Sequence, residues 1–161
     1  MASGRAGKLI HIGSRFAFNA GVPQSPHSID QLRLDALREY GIMDTTPEEG
    51  FDDICRLTSF ICGTPLATVT LLDLQRQWFK AKIGLEALET PISESICATA
   101  IKQKELFLVR DTHEDARFVN FACVTGSPGI RFYAGAPLIT PQRSCGGHFM
   151  CNGSKPSRPD G

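Results

Sequence analysis

From Ile29 to Thr140 the apolar positions recur with helical and then with strand periodicity, and beyond Thr140 the pattern stops. Ser28-Ile29-Asp30-Gln31 has the form of a capping box, and Leu34 and Leu37 follow at helical spacing with Gly41 at the stop. This predicts a first helix from about Ile29 to Tyr40. Thr46-Pro47-Glu48-Glu49 combines an N-cap Thr, Pro at the first helical position and Glu at the third. Phe51, Ile54, Cys55, Thr58, Ile61 and Cys62 then share one face, and Gly63 closes a second amphipathic helix. Leu66 to Leu72 is rich in strand formers, and from Trp78 to Ile83 the apolar Phe79, Ala81 and Ile83 alternate with Lys80 and Lys82. With the polar link Asp73–Gln77 between them, the two runs predict a hairpin. A short helix over Ser95–Gln103, a third strand over Leu106–Val109, a polar loop or short helix over Asp111–Phe121 and a fourth strand over Ile130–Ile139 complete the pattern.

The flanks have a different character. Residues 1–27 carry Arg5, Lys8 and Arg15, no acid, and scattered Gly, Ser and Pro, which reads as a disordered leader. Residues 141–161 hold Gly, Ser, Pro, Arg and Cys around one apolar patch, Phe149-Met150-Cys151, and read as an irregular tail. Between them, residues 28–140 have the length and pattern of one domain.

Charge and cysteine usage narrow the function classes. Lys+Arg and Asp+Glu stand at 17 each, so no long-range field favours nucleic acid or an anionic membrane. Apolar runs stay far short of a bilayer span, and Leu9–Gly13 is too short for a signal-peptide core, which points to the cytoplasm. The six cysteines form no C-x-x-C and no paired histidine spacing, so a metal site is not indicated. Cys55 and Cys62, seven apart, fall on one helical face and read as small buried hydrophobes.

Several motifs, taken in order, resemble the GAF domain, a small-molecule sensor module of bacterial signalling proteins. They are Leu34-x-x-Leu37-x-x-Tyr40-Gly41-Ile42-x-Asp44-Thr45-x-Pro47-Glu48-x-x-Phe51-Asp52, then Asp73-x-x-Arg76-Gln77-Trp78-Phe79-Lys80-Ala81 and Glu89-Thr90-Pro91. Cys97-Ala98-x-Ala100-Ile101, Asp111-x-x-x-Asp115-x-Arg117-Phe118 and Arg131-Phe132-Tyr133-Ala134-Gly135-Ala136-Pro137-Leu138 continue the series. The resemblance implies an α+β fold: an antiparallel sheet with helices on one face and a helix-loop cover on the other. It also implies a downstream output domain, either a histidine kinase or a cyclic-dinucleotide enzyme, and a homodimer through the helices.

One departure concerns the last strand. Such domains follow the fourth strand with Gly-x-x-x-Gly-Thr-Leu-Cys-Val-x-Asp, the central strand beside the first, whereas this chain has Gln142–Gly153. One synonymous choice of codons for Gln142 to Pro159, read one base later, spells Ser-Gly-His-Ala-Val-Gly-Thr-Leu-Cys-Val-Met-Asp-Arg-Ser-Arg-Pro, which contains the family segment. The expectation is therefore an extra base near the Pro141 codon, a central strand missing or replaced, and a marginal protein with exposed strand edges. A divergent tail is the alternative, with Gly146-Gly147 turning the chain and His148–Cys151 as a substitute strand.

The resemblance places a small ligand between the sheet and a cover formed by Ser93 to Phe121. It implies walls from Trp78, Phe79, Phe118, Phe132 and Tyr133, and orienting groups in Asp111, Asp115, Arg117 and Arg131. Each has a plainer reading: Phe79 and Phe132 as strand core, Asp115 with Arg117 as a loop ion pair. Cys97 stands near a helix start, where the dipole lowers a thiol pKa, and is the candidate for thiol chemistry; buried packing is its alternative. Three functions stay open: a non-catalytic regulatory binding module, a thiol-dependent methionine sulfoxide reductase on the same fold, and a truncated relic. The resemblance names no particular ligand and no cofactor.

Overall fold

The computed structural model describes residues 26–139 and 145–153. Two helices, α1 (Pro26–Tyr40) and α2 (Glu49–Cys62), precede the hairpin of β1 (Leu66–Leu72) and β2 (Arg76–Ile83). Then come β3 (Glu89–Pro91), a single 3₁₀ turn at Ile92–Glu94, α3 (Ile96–Ala100), β4 (Phe107–Val109), α4 (Ala122–Thr125), β5 (Phe132–Ile139) and β6 (Cys145–Gly153). The strands form one antiparallel sheet in the order β3-β2-β1-β6-β5-β4. The α+β architecture is as expected from the sequence, with β3 and α4 in addition.

Both helix ends follow the glycine signals. Gly41 and Gly63 adopt the left-handed conformation with φ of 57° and 60°, and Gly63 N–H donates back to Phe60 and Ser59 carbonyls. The helix starts differ from the expectation. The first helix begins at Pro26, so residues 26 and 27 belong to it; the rest of the leader lies outside the described residues. The second begins at Glu49, with Glu48 extended at φ −131° and ψ 126° and no side-chain cap. Lys80 supplies the reason, because its ammonium holds the segment before α2 in an extended path. It donates to Thr45 Oγ1 at 2.6 Å and to the Thr46 carbonyl at 2.8 Å, and pairs with Glu48 Oε1 at 2.6 Å.

Lys80 also corrects the alternation expected of the second strand. A bulge lies opposite Val69/Thr70: Ala81 pairs with Val69 and Phe79 with Thr70, leaving Lys80 as the extra residue. The bulge switches faces. Phe79 joins the core on one side of the sheet, whereas Ala81 and Ile83 pack with Ala67, Val69 and Cys55 beneath α2 on the other. Lys80, expected at the surface, has a fully buried side chain. On α2, Cys55 is 1% exposed as expected, but Ile61 is 70% exposed and Cys62 is also at the surface.

The gap left by the expected missing strand is filled by β6. Cys145–Gly153 runs antiparallel to both β1 and β5, with Val69 and Ala136 flanking Phe149 in register, and Gly153 O accepting from Arg131 N at 2.8 Å. Gly146 and Gly147 lie within the strand, with a register shift at Leu138/Ile139, and do not form a turn. The inner edges of β1 and β5 are therefore paired, and the sheet ends in three-residue strands, β3 and β4. Short edges of this kind resist edge-to-edge pairing. Residues 140–144 and 154–161 of the tail lie outside the described residues.

Candidate functional site

The face of the sheet away from α2 is roofed by the segment from Leu85 to Ile130. A cavity of about 180 Å³ opens between them. Its floor is Leu66 and Thr68 from β1, Gln77 and Phe79 from β2, and Tyr133 from β5; its roof includes Leu85, Thr90, Ser95, Ile96, Cys97, Cys123 and Ile130. Period two along β2 places Gln77 and Phe79 on the same face, and the pairing of Gln77 with Leu72 and Phe79 with Thr70 fixes their position against β1.

The polar end of the cavity is built around Ser95 and Gln77, which are 4% and 5% exposed. Ser95 caps α3 by accepting from Ala98 N–H at 3.3 Å. Its hydroxyl proton then donates to Gln77 Oε1. Thr68 contributes a hydroxyl 2.9 Å from that of Thr70.

Cys97 and Tyr133 meet at the sheet, with the Tyr133 hydroxyl donating to Cys97 Sγ at 3.4 Å. Gly135 makes this placement attainable, since a Cβ there would stand 2.5 Å from Tyr133 Oη. Burial pushes the Cys97 thiol up to about 12, and the hydrogen bond from Tyr133 opposes the shift without reversing it. Burial also raises the Cys123 thiol. Desolvation therefore overrides the helix dipole expected to activate Cys97, and α3 has only five residues with which to build one.

Of the nine candidate residues, Phe79, Cys97 and Tyr133 line the cavity. The structure places the other six elsewhere. Trp78 is on the opposite face, its ring 6.0 Å from Lys80 Nζ. Phe118 is fully buried behind the cavity wall, edge-on to Phe107 and Phe121 at 6.2 and 5.6 Å between centroids. Arg131 forks onto Asp111, with Nε 2.9 Å from Oδ1, and holds the Asp111 carboxyl below the ordinary range. Arg117 forks onto Asp115 at 2.9 and 2.6 Å, and stacks over Phe118 and Phe107 at 4.8 and 5.3 Å from the ring centroids. Phe132, the further wall residue, is half-buried and does not line the cavity.

Sequence reasoning passed over Gln77 and Ser95. Gln77 stands in the expected hairpin link, although its two-residue spacing from Phe79 is a signal for its face; Ser95 stands at the start of the expected short helix, with nothing in the sequence to mark it as a cavity group. A second concavity, about 370 Å³ and more open, lies between α1 and the β1–β2 turn and is lined by Leu34, Leu37, Met43 and Leu74 among others. None of the candidate residues reaches it. Among the described residues no cluster of His, Cys, Asp and Glu is arranged to hold a metal ion.

A sequence model of the GAF domain family matches residues 46–159, which takes in the whole hairpin, the roof and β6. The chain belongs to the GAF domain family. It is 42% identical over 120 residues to the cyclic di-GMP phosphodiesterase PA2567 of Pseudomonas aeruginosa, a match covering 74% of this chain. It spans only 20% of that relative's length. Among solved structures, the GAF domain of an Acinetobacter phosphoenolpyruvate-protein phosphotransferase superposes with a TM-score of 0.55 at 18% identity, covering 78% of this chain and 79% of the other. The free methionine-R-sulfoxide reductase of Neisseria meningitidis, solved with its substrate, gives a TM-score of 0.56 at 17% identity, over 86% and 81% of the two chains. These two likenesses establish the shared fold. Among the described residues no helix is long and apolar enough to cross a membrane.

Proposed function

We propose that this GAF domain is a non-catalytic sensory module of a bacterial signal-transduction protein and that its ligand is a small molecule held under the Leu85–Ile130 roof. The observation that carries the reading is a cavity of about 180 Å³ with apolar walls and a buried polar end at Gln77 and Ser95. Phe79, Cys97 and Tyr133 are retained as ligand-contacting residues. Occupancy would act on an output domain of the kinase or cyclic-dinucleotide type through differential affinity for two arrangements of the roof. A cytoplasmic location fits this role. Thermal-shift screening of the purified chain against cellular metabolites tests it: at least one compound should raise the melting temperature, and Ala87→Trp at the cavity mouth should abolish the response. A screen without any such compound removes the reading.

A homodimer through the helices belongs to the same proposal. Its support is an outward row on α2, where Leu57, Phe60 and Ile61 are 59%, 86% and 70% exposed at spacings of three and four.

The second reading is a thiol-dependent methionine sulfoxide reductase, favoured by the presence of both Cys97 and Cys123 on the cavity wall. Against it, burial raises both thiols and so keeps them protonated at neutral pH. Thioredoxin-coupled turnover of a methionine sulfoxide, lost in Cys97→Ser, would establish this reading in place of the first.

A further inference from the structure

The cavity's polar end is specific enough to name the chemistry of its ligand; the argument rests on the ligand-binding reading above. The Ser95 hydroxyl, whose oxygen accepts from Ala98 N–H, donates to Gln77 Oε1, so the Gln77 carbonyl oxygen is turned toward Ser95. The other half of the amide, Nε2 with its two N–H groups, is left on the cavity side. It has no hydrogen-bond partner among the described residues, although Gln77 is 5% exposed. A buried amide donor without an acceptor is costly, and native proteins rarely leave one unmatched.

Charge defines the rest. Among the described lining residues the only Asp, Glu, Lys or Arg is Glu94, which is exposed at the rim. Of the three arginines in or beside the roof, Arg117 and Arg131 are committed to Asp115 and Asp111 outside the cavity, and Arg110 is exposed and does not line it. A carboxylate or phosphate entering here would lose its hydration with no counter-charge and with Glu94 at the entrance. Leu66, Phe79, Leu85, Ile130 and Tyr133 surround the space beyond Gln77 with apolar surface.

The geometry points to an uncharged ligand with an apolar body about the size of one substituted ring, and with a carbonyl oxygen seated on Gln77 Nε2. Amides, ketones and ring carbonyls fit this description, whereas nucleotides and carboxylic acids do not.

Benzamide, benzoate and toluene share one ring and differ only in the group offered to Gln77. Titrated into the full chain at pH 8 and followed by isothermal calorimetry, benzamide should bind at least tenfold tighter than benzoate. Gln77→Leu, which keeps the shape and removes the donor, should weaken benzamide about tenfold and leave toluene unchanged. Gln77→Glu provides a second, polar variant and should likewise lose the preference for benzamide. Benzoate binding as tightly as benzamide while toluene also binds would overturn the inference but keep the cavity as a ligand site. Binding of none of the three would overturn both.

Discussion

Charged motif residues in this chain mostly serve one another. Asp111 with Arg131 and Asp115 with Arg117 are local pairs, and Arg76 gathers Asp44, Asp73 and Glu89 at the hairpin turn. That is why the sequence marked these positions without revealing their role: a recurring charge pattern is the same whether it faces a ligand or closes a loop. Phe79, Cys97 and Tyr133, which the family resemblance implies for the pocket, line the cavity, whereas apolar periodicity alone marks Phe79 only as strand core. Gln77 is not marked as a cavity residue by the sequence, since its contact is with the Ser95 hydroxyl eighteen residues later. Burial pushes the Cys97 thiol well above its ordinary value, so it stays protonated at pH 8. Iodoacetamide at that pH should therefore modify the exposed Cys62 well before Cys97, as read by peptide mass mapping. Rapid alkylation of Cys97 in the folded protein would show a thiol less buried than its surroundings dictate, and would revive the reductase reading.

At the scale of elements, the sequence located every helix and strand that has a strong period and missed β6, whose segment shows no periodic pattern, and β3 and α4, which have three and four residues and no period to detect. It misplaced the start of α2 for a different reason. The capping signal at Thr46-Pro47 is real chemistry, but a lysine more than thirty residues later competes for the same loop. Lys80 lies over the Phe51 ring, 5.3 Å from its centroid, while its ammonium takes the Thr45 hydroxyl and Thr46 carbonyl. Lys80→Met keeps the apolar stem and removes the donors, so it should cost about 2 kcal/mol in urea unfolding. Glu48 is 57% exposed, and Glu48→Gln should cost less than about 0.5 kcal/mol. Equal costs would mean that the ion pair, and not the loop hydrogen bonds, fixes the segment. The same helix supplies the dimer test. Phe60→Glu puts a charge at the most exposed apolar position of α2, and should convert a sedimenting dimer to monomer with the thermal midpoint of the monomer unaltered. A wild-type chain that sediments as a monomer at 100 μM scale concentrations, on the order of ordinary weak dimer constants, would dismiss the helix-mediated pair.

For the whole molecule, everything depends on the strand that the sequence pattern did not supply. Main-chain pairing makes few demands on side chains, and β1 and β5 both face the gap with unpaired donors and acceptors, so Cys145–Gly153 can complete the sheet despite lacking the family segment. The register nevertheless exposes where the fit is poor. Asn152 sits in a row between Leu66 and Tyr133, which are 7% and 1% exposed and belong to the main apolar cluster. Asn is disfavoured in strands relative to apolar and β-branched residues. The segment obtained by reading one base later has Met at this position, Thr in place of His148 and Val in place of Cys151, all better matched to a central strand. Asn152→Met alone should raise stability by about 1 kcal/mol, a thermal shift of roughly 3–5 °C for a domain of this size. Exchanging residues 142–153 for the whole alternative segment should raise it further without changing the far-ultraviolet spectrum. A fall in stability on either change would mean that the strand does not pair in this register, and with it would go the cavity floor that Leu66 and Tyr133 provide on either side.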